Sequence, residues 1–363
     1  MKDVQATMQG VLDRCVAEGR ERGVQLTAYL NGELIVDAWA GVADAETGRL
    51  VDGETLFPVF SVSKGITATI IHLLAERGML SYDMPIAMVW PEFAAQGKGS
   101  ITVRHVLSHT AGVPMMPQGI GYRELVDWDT MCADIAKLHP ISAPGAEHCY
   151  HALTYGWLMG EVAQRVDGRP FSQLLHDEIR VPLGLTDSLF MGIPDAVEPR
   201  VAVLEEYCSP NEPVLPDDNM PQSIPGWIQP LSTMMNRSDT RRACLPAATG
   251  IFTARALARH YAALLPGGVD GVELLPPHRV RQVTQPQLPT DNPMAEPISC
   301  YSLGYQRFSD ACLPVFGHGG HGGSIGFADL TYGLAVGLTK NRFSPNYAHD
   351  EIVQALRDAL DLS

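Results

Sequence analysis

Lysine is scarce in this chain, with five residues in 363 against 41 acidic side chains. The other basic residues are arginines, scattered without any run that could track a phosphate backbone, and the formal net charge is −15. That balance excludes nucleic acid and an anionic membrane surface as natural partners. Long apolar runs are also missing, so no segment reaches the length that spans a bilayer. The N-terminus, Met1-Lys2-Asp3-Val4-Gln5-Ala6-Thr7, turns polar at once and lacks the apolar core of a signal peptide. Seven cysteines, at 15, 132, 149, 208, 244, 300 and 312, are odd in number and contain no C-x-x-C pair. They predict reduced, mostly buried thiols in a cytoplasmic protein, with neither a disulfide frame nor a zinc site. Internal repeats and low-complexity tracts are absent. What remains is ordinary globular material, 45% hydrophobic and 18% charged, enough for one large domain or two lobes.

One stretch organises the rest. Phe60-Ser61-Val62-Ser63-Lys64-Gly65 precedes a segment in which Ile66, Ile70, Leu73 and Leu74 recur at helical spacing, with Gly78 where a C-terminal cap falls. Ser61 and Lys64 thus sit on one face of the first turn of a largely buried helix. A serine hydroxyl becomes a nucleophile when a neighbouring base takes its proton, and lysine serves as that base only with a lowered pKa. Desolvation and the positive end of the helix dipole both act in that direction. With 18 serines and five lysines in the chain, chance alone gives about 0.25 Ser-x-x-Lys matches. The alternative is that Ser61 caps the helix and Lys64 extends to solvent.

Along the chain, Val4, Met8, Val11, Leu12, Cys15 and Val16 predict an amphipathic helix over 3–19. Asn31-Gly32 between two β-prone runs, Val24 to Leu30 and Glu33 to Trp39, predicts a hairpin. From Ser81 to about 245 the pattern is mainly helical, with a short helix over 102–112 ended by Gly112 and a longer one over 152–166. Residues 205–248, rich in proline and polar side chains, read as an irregular flap. A helix over 254–265 follows, then strands over 301–308, 326–331 and 334–339, and a closing helix over 351–360. These elements predict an α/β (α+β) fold: an antiparallel, five-stranded sheet flanked by helices, with an inserted, mainly helical lobe. In this division residues 1–80 and 246–363 form the α/β lobe of a single catalytic domain, and 81–245 the helical lobe with its flap.

Three further features carry chemistry. Tyr150 stands just before the 152–166 helix, where a phenol exchanges protons with a leaving group if a cation lowers its pKa. As a bland alternative it is a buried structural tyrosine. Phe316-Gly317-His318-Gly319-Gly320-His321-Gly322-Gly323 holds five glycines in seven positions from 317, which lets a backbone approach a ligand and offer N–H groups to an oxyanion. Gly322-Gly323-Ser324-Ile325-Gly326 fits the G-x-S-x-G nucleophile elbow, but that motif needs a strand before it and a helix after it. Here glycine-rich coil precedes and a β-prone stretch follows, with His349 the only histidine downstream. His105 and His109, four apart, lack the glutamate of a zinc helix and are expected to bond surrounding loops. Trp90 and Phe93 are expected to be packing residues.

Taken in order, Ser61-x-x-Lys64, Leu107-Ser108-His109-Thr110-Ala111-Gly112, Tyr150 before a Gly-Trp-Leu helix, and His318-Gly319-Gly320 resemble the serine β-lactamase and penicillin-binding superfamily. The resemblance runs from about residue 20 to 350 and is nearest the class C-like branch, the family VIII carboxylesterases and related acyltransferases. It implies a β-lactamase/transpeptidase-like fold, acylation of Ser61, Lys64 as its base partner and Tyr150 in the proton shuttle. It also implies that His318-Gly319-Gly320 stands where the superfamily has Lys-Thr-Gly, and that His321 supplies an oxyanion N–H beside that of Ser61. Two departures follow from the alignment of motifs: Ala152 replaces the asparagine of Tyr-x-Asn, and His318-Gly319 replaces Lys-Thr. The resemblance therefore implies a small-molecule ester as substrate, with weak or no β-lactamase activity and no metal or organic cofactor. Acyl transfer to an alcohol or amine, and a non-hydrolytic penicillin-recognising protein, are the competing readings. Oligomeric state has no signature in the sequence.

Overall fold

The Asn31-Gly32 signal closes a hairpin in the computed structural model, which describes residues 3–206, 222–287, 301–308, 315–343 and 348–362. Both turn residues take positive φ, +50° and +81°, as a two-residue turn between twisted strands requires. Strand β1 (Gly23–Leu30) pairs with β2 (Glu33–Asp44), which runs past Trp39, and β3 (Arg49–Leu50) edges the sheet beyond it. The last strands of the chain complete the same sheet. β10 (Leu334–Lys340) lies antiparallel to β1, from Val24 opposite Lys340 to Leu30 opposite Leu334. Then come β9 (Ile325–Asp329), β8 (Val315–Gly319) and β7 (Gln306–Arg307), giving the order β3-β2-β1-β10-β9-β8-β7.

Among the described residues this sheet has seven strands, where the sequence pattern predicted five. A second, three-stranded sheet joins β4 (Phe57–Phe60), β6 (Gly250–Phe252) and β5 (Leu189–Met191) in the order β4-β6-β5. Four of the unforeseen strands are two to four residues long, too short for a period of two to register, and the fifth, β8, carries glycines at 317 and 319 that made it read as coil. The strand expected over 301–308 shrinks to Gln306–Arg307, because Gly304 at φ +80° turns the chain first.

Both faces of the large sheet are covered. Helices Val4–Ala17 and Ala348–Ala359 bury Met8, Leu12, Cys15, Ile352 and Leu356 against Val24, Leu26, Val336 and Leu338. Helices Val62–Glu76 and Ala254–Ala262 fill the other side, with Ile66, Ile70, Leu257 and Tyr261 in the main core. Residues 62–75 are all buried.

In the middle of the chain, helix Thr154–Asp167 packs against Val62–Glu76. The helix expected over 102–112 stops at Leu107, since His109 itself adopts φ +59°. Of the expected flap, 207–221 lies outside the described residues, but its remainder is more regular than its composition suggested. Helices Leu231–Asn236 and Ser238–Arg242 bury Leu231, Met234 and Met235. Trp90 and Phe93 are buried and stacked at 5.1 Å, as packing residues. Cys15, Cys132, Cys149 and Cys244 are free thiols; Cys208, Cys300 and Cys312 lie outside the described residues. Among the described residues no helix is long and apolar enough to cross a membrane.

Candidate active site

Strand β4 enters a tight turn in which Phe60 takes φ +50°, and Ser61 follows at the head of helix Val62–Glu76. A non-glycine residue in that region is strained and persists only when its surroundings hold it. Ser63 does part of that work. Its hydroxyl donates to the Phe60 carbonyl and accepts from Gly250 N–H at 2.8 Å, which fastens the turn to β6.

Among the described residues three lysines are fully buried, and each finds different company. Lys340 is paired with buried Glu21 at 2.5 Å. Lys98 donates to the carbonyls of Ala95, Ala136 and Leu138. Lys64 Nζ lies 2.7 Å from Ala152 O, 3.0 Å from Ala247 O and 3.1 Å from Ser61 Oγ. Burial pushes its pKa well below the usual lysine range. A neutral amine has two N–H donors and one lone pair. The two carbonyls take both donors, so the lone pair is left for the Ser61 hydroxyl. This is the arrangement a general base for Ser61 needs.

Tyr150 is placed directly beside them. Its ring lies 4.9 Å from Lys64 Nζ, and its hydroxyl shares a hydrogen bond with Ser61. The expectation that a cation lowers its pKa is not met. Burial raises the phenol above its ordinary range, outweighing the bond to Ser61. Burial thus disfavours both the ammonium of Lys64 and the phenolate of Tyr150, so each is pushed toward its uncharged form beside the same serine oxygen.

The glycine-rich segment forms the facing wall. His318, at the end of β8, is buried, and its Nδ1 donates to Gly319 O at 2.7 Å. Burial pushes its pKa down to about 3, so the ring is neutral. Gly319 N–H is held by Gln306 Oε1 at 2.8 Å. Gly320 lies so close to β4 that a Cβ there would stand 2.1 Å from Val59 O. The ring of His321 packs on Phe60 and Phe343, at 5.6 and 4.9 Å. A cleft of about 470 Å³ opens between these walls, lined by Ser61, Tyr150, Gly319, Gly320 and His321.

The elbow geometry is not present at Ser324. It stands in the turn between β8 and β9, buried, with its Oγ accepting from Lys340 N–H at 3.2 Å, and a strand follows it. The two spaced histidines do not share a site either. His105 Nδ1 accepts from Thr102 N–H in a capping box, while His109 lies past the helix end. Sequence reasoning missed Ala247, whose contribution is a carbonyl just before β6. Every residue carries a carbonyl, so no side-chain signal marks that position.

A family model described as Beta-lactamase matches residues 8–361. The chain belongs to the β-lactamase family. A curated relative, "Esterase/beta-lactamase LipL" of Mycobacterium tuberculosis, is 36% identical over 346 residues, covering 88% of this chain and 77% of that protein. Among solved structures, a family VIII carboxylesterase matches with a TM-score of 0.86 at 30% identity, over 98% of this chain and 96% of the other. A penicillin-binding protein homologue from Caulobacter crescentus matches with a TM-score of 0.82 at 32% identity, over 99% and 97%. This member of the β-lactamase family thus shares the fold of proteins named for esterase and for penicillin-binding activity, with its antiparallel sheet between helical layers. In its cleft Ala152 is a lining residue whose carbonyl accepts from Lys64, and His318 is a buried, uncharged ring.

Proposed function

We propose that this chain is a serine hydrolase of carboxylic esters that works through a Ser61 acyl-enzyme. The observation that carries the reading is the disposition of Lys64, with both amine protons engaged by Ala152 and Ala247 and its lone pair directed to Ser61. Ser61 Oγ passes its proton to Lys64 Nζ and bonds to the ester carbonyl carbon. The carbonyl oxygen takes up the negative charge beside the backbone N–H groups of Ser61 and His321. On collapse the C–O bond to the alcohol breaks, and Tyr150 protonates the departing oxygen, its phenol being restored by the proton that Lys64 took from Ser61. Water then attacks the acyl carbon by the same relay in reverse. In this reading the 81–245 lobe supplies the apolar wall of the cleft, through Leu153, Ile224, Leu231 and Met234. No metal or organic cofactor enters the scheme.

Esters are expected to be turned over far better than β-lactams. A penicillin or cephalosporin presents a carboxylate and an acylamide that must be held while its ring opens. The positions facing them carry Ala152 and Gly319, without polar side chains, and a neutral His318. Each missing charge-assisted hydrogen bond is worth about 1.5–3 kcal/mol, so two losses lower kcat/KM by roughly two to four orders of magnitude. The check is kcat/KM for nitrocefin beside p-nitrophenyl butyrate on one preparation, and comparable values would return the chain to the lactamases. Repeating the ester assay with an added alcohol acceptor separates hydrolysis from acyl transfer.

The close approach at Gly320 gives a second expectation. Gly320→Ala drives the 319–321 backbone away from Val59 and from the Ser61 turn. A displacement near 1 Å at an oxyanion donor costs about 100-fold in kcat. Steady-state kinetics of this variant with kcat within threefold of the parent would remove the 319–321 backbone from the oxyanion site.

A further inference from the structure

Residues 149–151 are tied on both sides of Tyr150 to one buried residue, His109. The His109 carbonyl accepts from Cys149 N–H at 2.9 Å, and its Nδ1 accepts from His151 N–H at 3.1 Å. Between those two bonds, the Tyr150 ring lies against the imidazole with centroids 4.6 Å apart. His109 reaches this position only by adopting φ +59°, a conformation uncommon for a side chain of its size and one that must be held by its surroundings. The hold comes from the neighbouring backbone: His109 N–H donates to Val106 O at 3.0 Å and Thr110 N–H to His105 O at 2.7 Å. The same stretch grips the start of the tyrosine loop, where Gly145 N–H donates to Thr110 O at 2.8 Å and Ile141 N–H to Gly112 O at 2.8 Å.

The second histidine of the cluster has no freedom to take over. His151 Nδ1 donates to Cys149 O at 2.7 Å and its Nε2 accepts from Val113 N–H at 3.2 Å, so both ring nitrogens are committed. Because His109 Nδ1 is an acceptor, its proton is on Nε2 and the ring is neutral, in keeping with its full burial. A charged ring would donate at Nδ1 and lose the bond to His151.

We propose that His109 is a positioning residue for the ester reaction, setting Tyr150 against Ser61 and Lys64 through its carbonyl, its Nδ1 and the face of its ring. The inference rests on the ester-hydrolase reading. It does not give His109 any contact with substrate. Of these, the Nδ1 acceptor, together with the left-handed backbone that places the carbonyl, is what a substitution can separate from bulk. Asparagine tolerates positive φ better than other non-glycine residues and carries Oδ1 where histidine carries Nδ1. Glutamine places its amide one carbon further out and has no such backbone preference.

The test uses the full chain as the parent, His109→Asn and His109→Gln. Competent sites are counted by fluorophosphonate labelling, kcat and KM for p-nitrophenyl butyrate are measured per labelled site, and melting temperature is followed in parallel. His109→Gln is expected to lower kcat per site about 100-fold, the scale of a catalytic group displaced by near 1 Å, with KM within threefold. His109→Asn is expected to recover most of that loss. A glutamine variant with parental kcat per labelled site, or an asparagine variant as impaired as the glutamine one, overturns the assignment and leaves His109 a packing residue. A parent chain that hydrolyses no ester defeats the function reading itself, and with it this inference. The first comparison among active chains therefore tells the two failures apart.

Discussion

Ser61→Ala is expected to abolish ester turnover and Ser324→Ala to keep it within about tenfold of the parent, whereas removing a nucleophile costs on the order of 10⁴-fold or more. The contrast is worth making because Ser324 satisfies the better-known motif and shares the cleft with His349. The two serines differ in their surroundings. Ser61 Oγ faces the Lys64 amine and the Tyr150 hydroxyl. Ser324 Oγ is spent on the Lys340 backbone, inside a turn between strands, and the His349 ring lies against Asp350 at 3.2 Å. Since the Ser61 side chain is bonded only within the site, Ser61→Ala should leave far-UV circular dichroism and melting temperature near the parent values. Mass spectrometry after fluorophosphonate treatment should find the adduct on the Ser61 peptide. An inactive Ser324→Ala beside an active Ser61→Ala would establish the elbow mechanism and dismiss the one argued above.

Lys64→Ala and Tyr150→Phe should each lower kcat by about 10²–10⁴-fold, the range of a positioned acid or base. The double variant should lose less than the product of the two, because both residues act on the same oxygen and members of one unit are not additive. Fully multiplicative losses in the double-mutant cycle would take the relay apart. The pH profile gives a second readout, with its sign set by the structure. Burial lowers the Lys64 pKa, and the neutral amine is the active form. Activity therefore rises as pH rises through that depressed pKa, and the acidic limb disappears in Lys64→Ala. His151 and His318, each pushed down to about 3 by burial, are already neutral across pH 5–8 and cannot supply that limb. The raised Tyr150 pKa keeps the phenol protonated over the same range. Melting temperatures belong beside these data, since Lys64→Ala leaves the Ala152 and Ala247 carbonyls without their donor, at about 1–3 kcal/mol each if neither finds another partner.

The serine, its lysine and the helix that carries them were legible in the sequence, because Ser-x-x-Lys and the 3.6-residue apolar repeat both lie within one turn-forming segment. The Asn31-Gly32 hairpin and the two terminal helices were legible for the same reason: each is decided by residues near one another in the chain. The tertiary structure decided what the lysine is. Its two carbonyl partners come from 88 and 183 residues away, and a carbonyl is common to all residues, so nothing in the sequence distinguishes them. Burial of Lys64 and Tyr150, and so the direction in which each pKa moves, exists only once the core closes around them. The seven-stranded sheet likewise depends on β10 meeting β1 across the whole chain, while β3 is too short, and β8 too rich in glycine, for a period of two to announce them. His109 combines both cases: its position in the chain was visible, but its left-handed backbone and its hold on the Tyr150 loop arise from contacts that only the folded chain brings together.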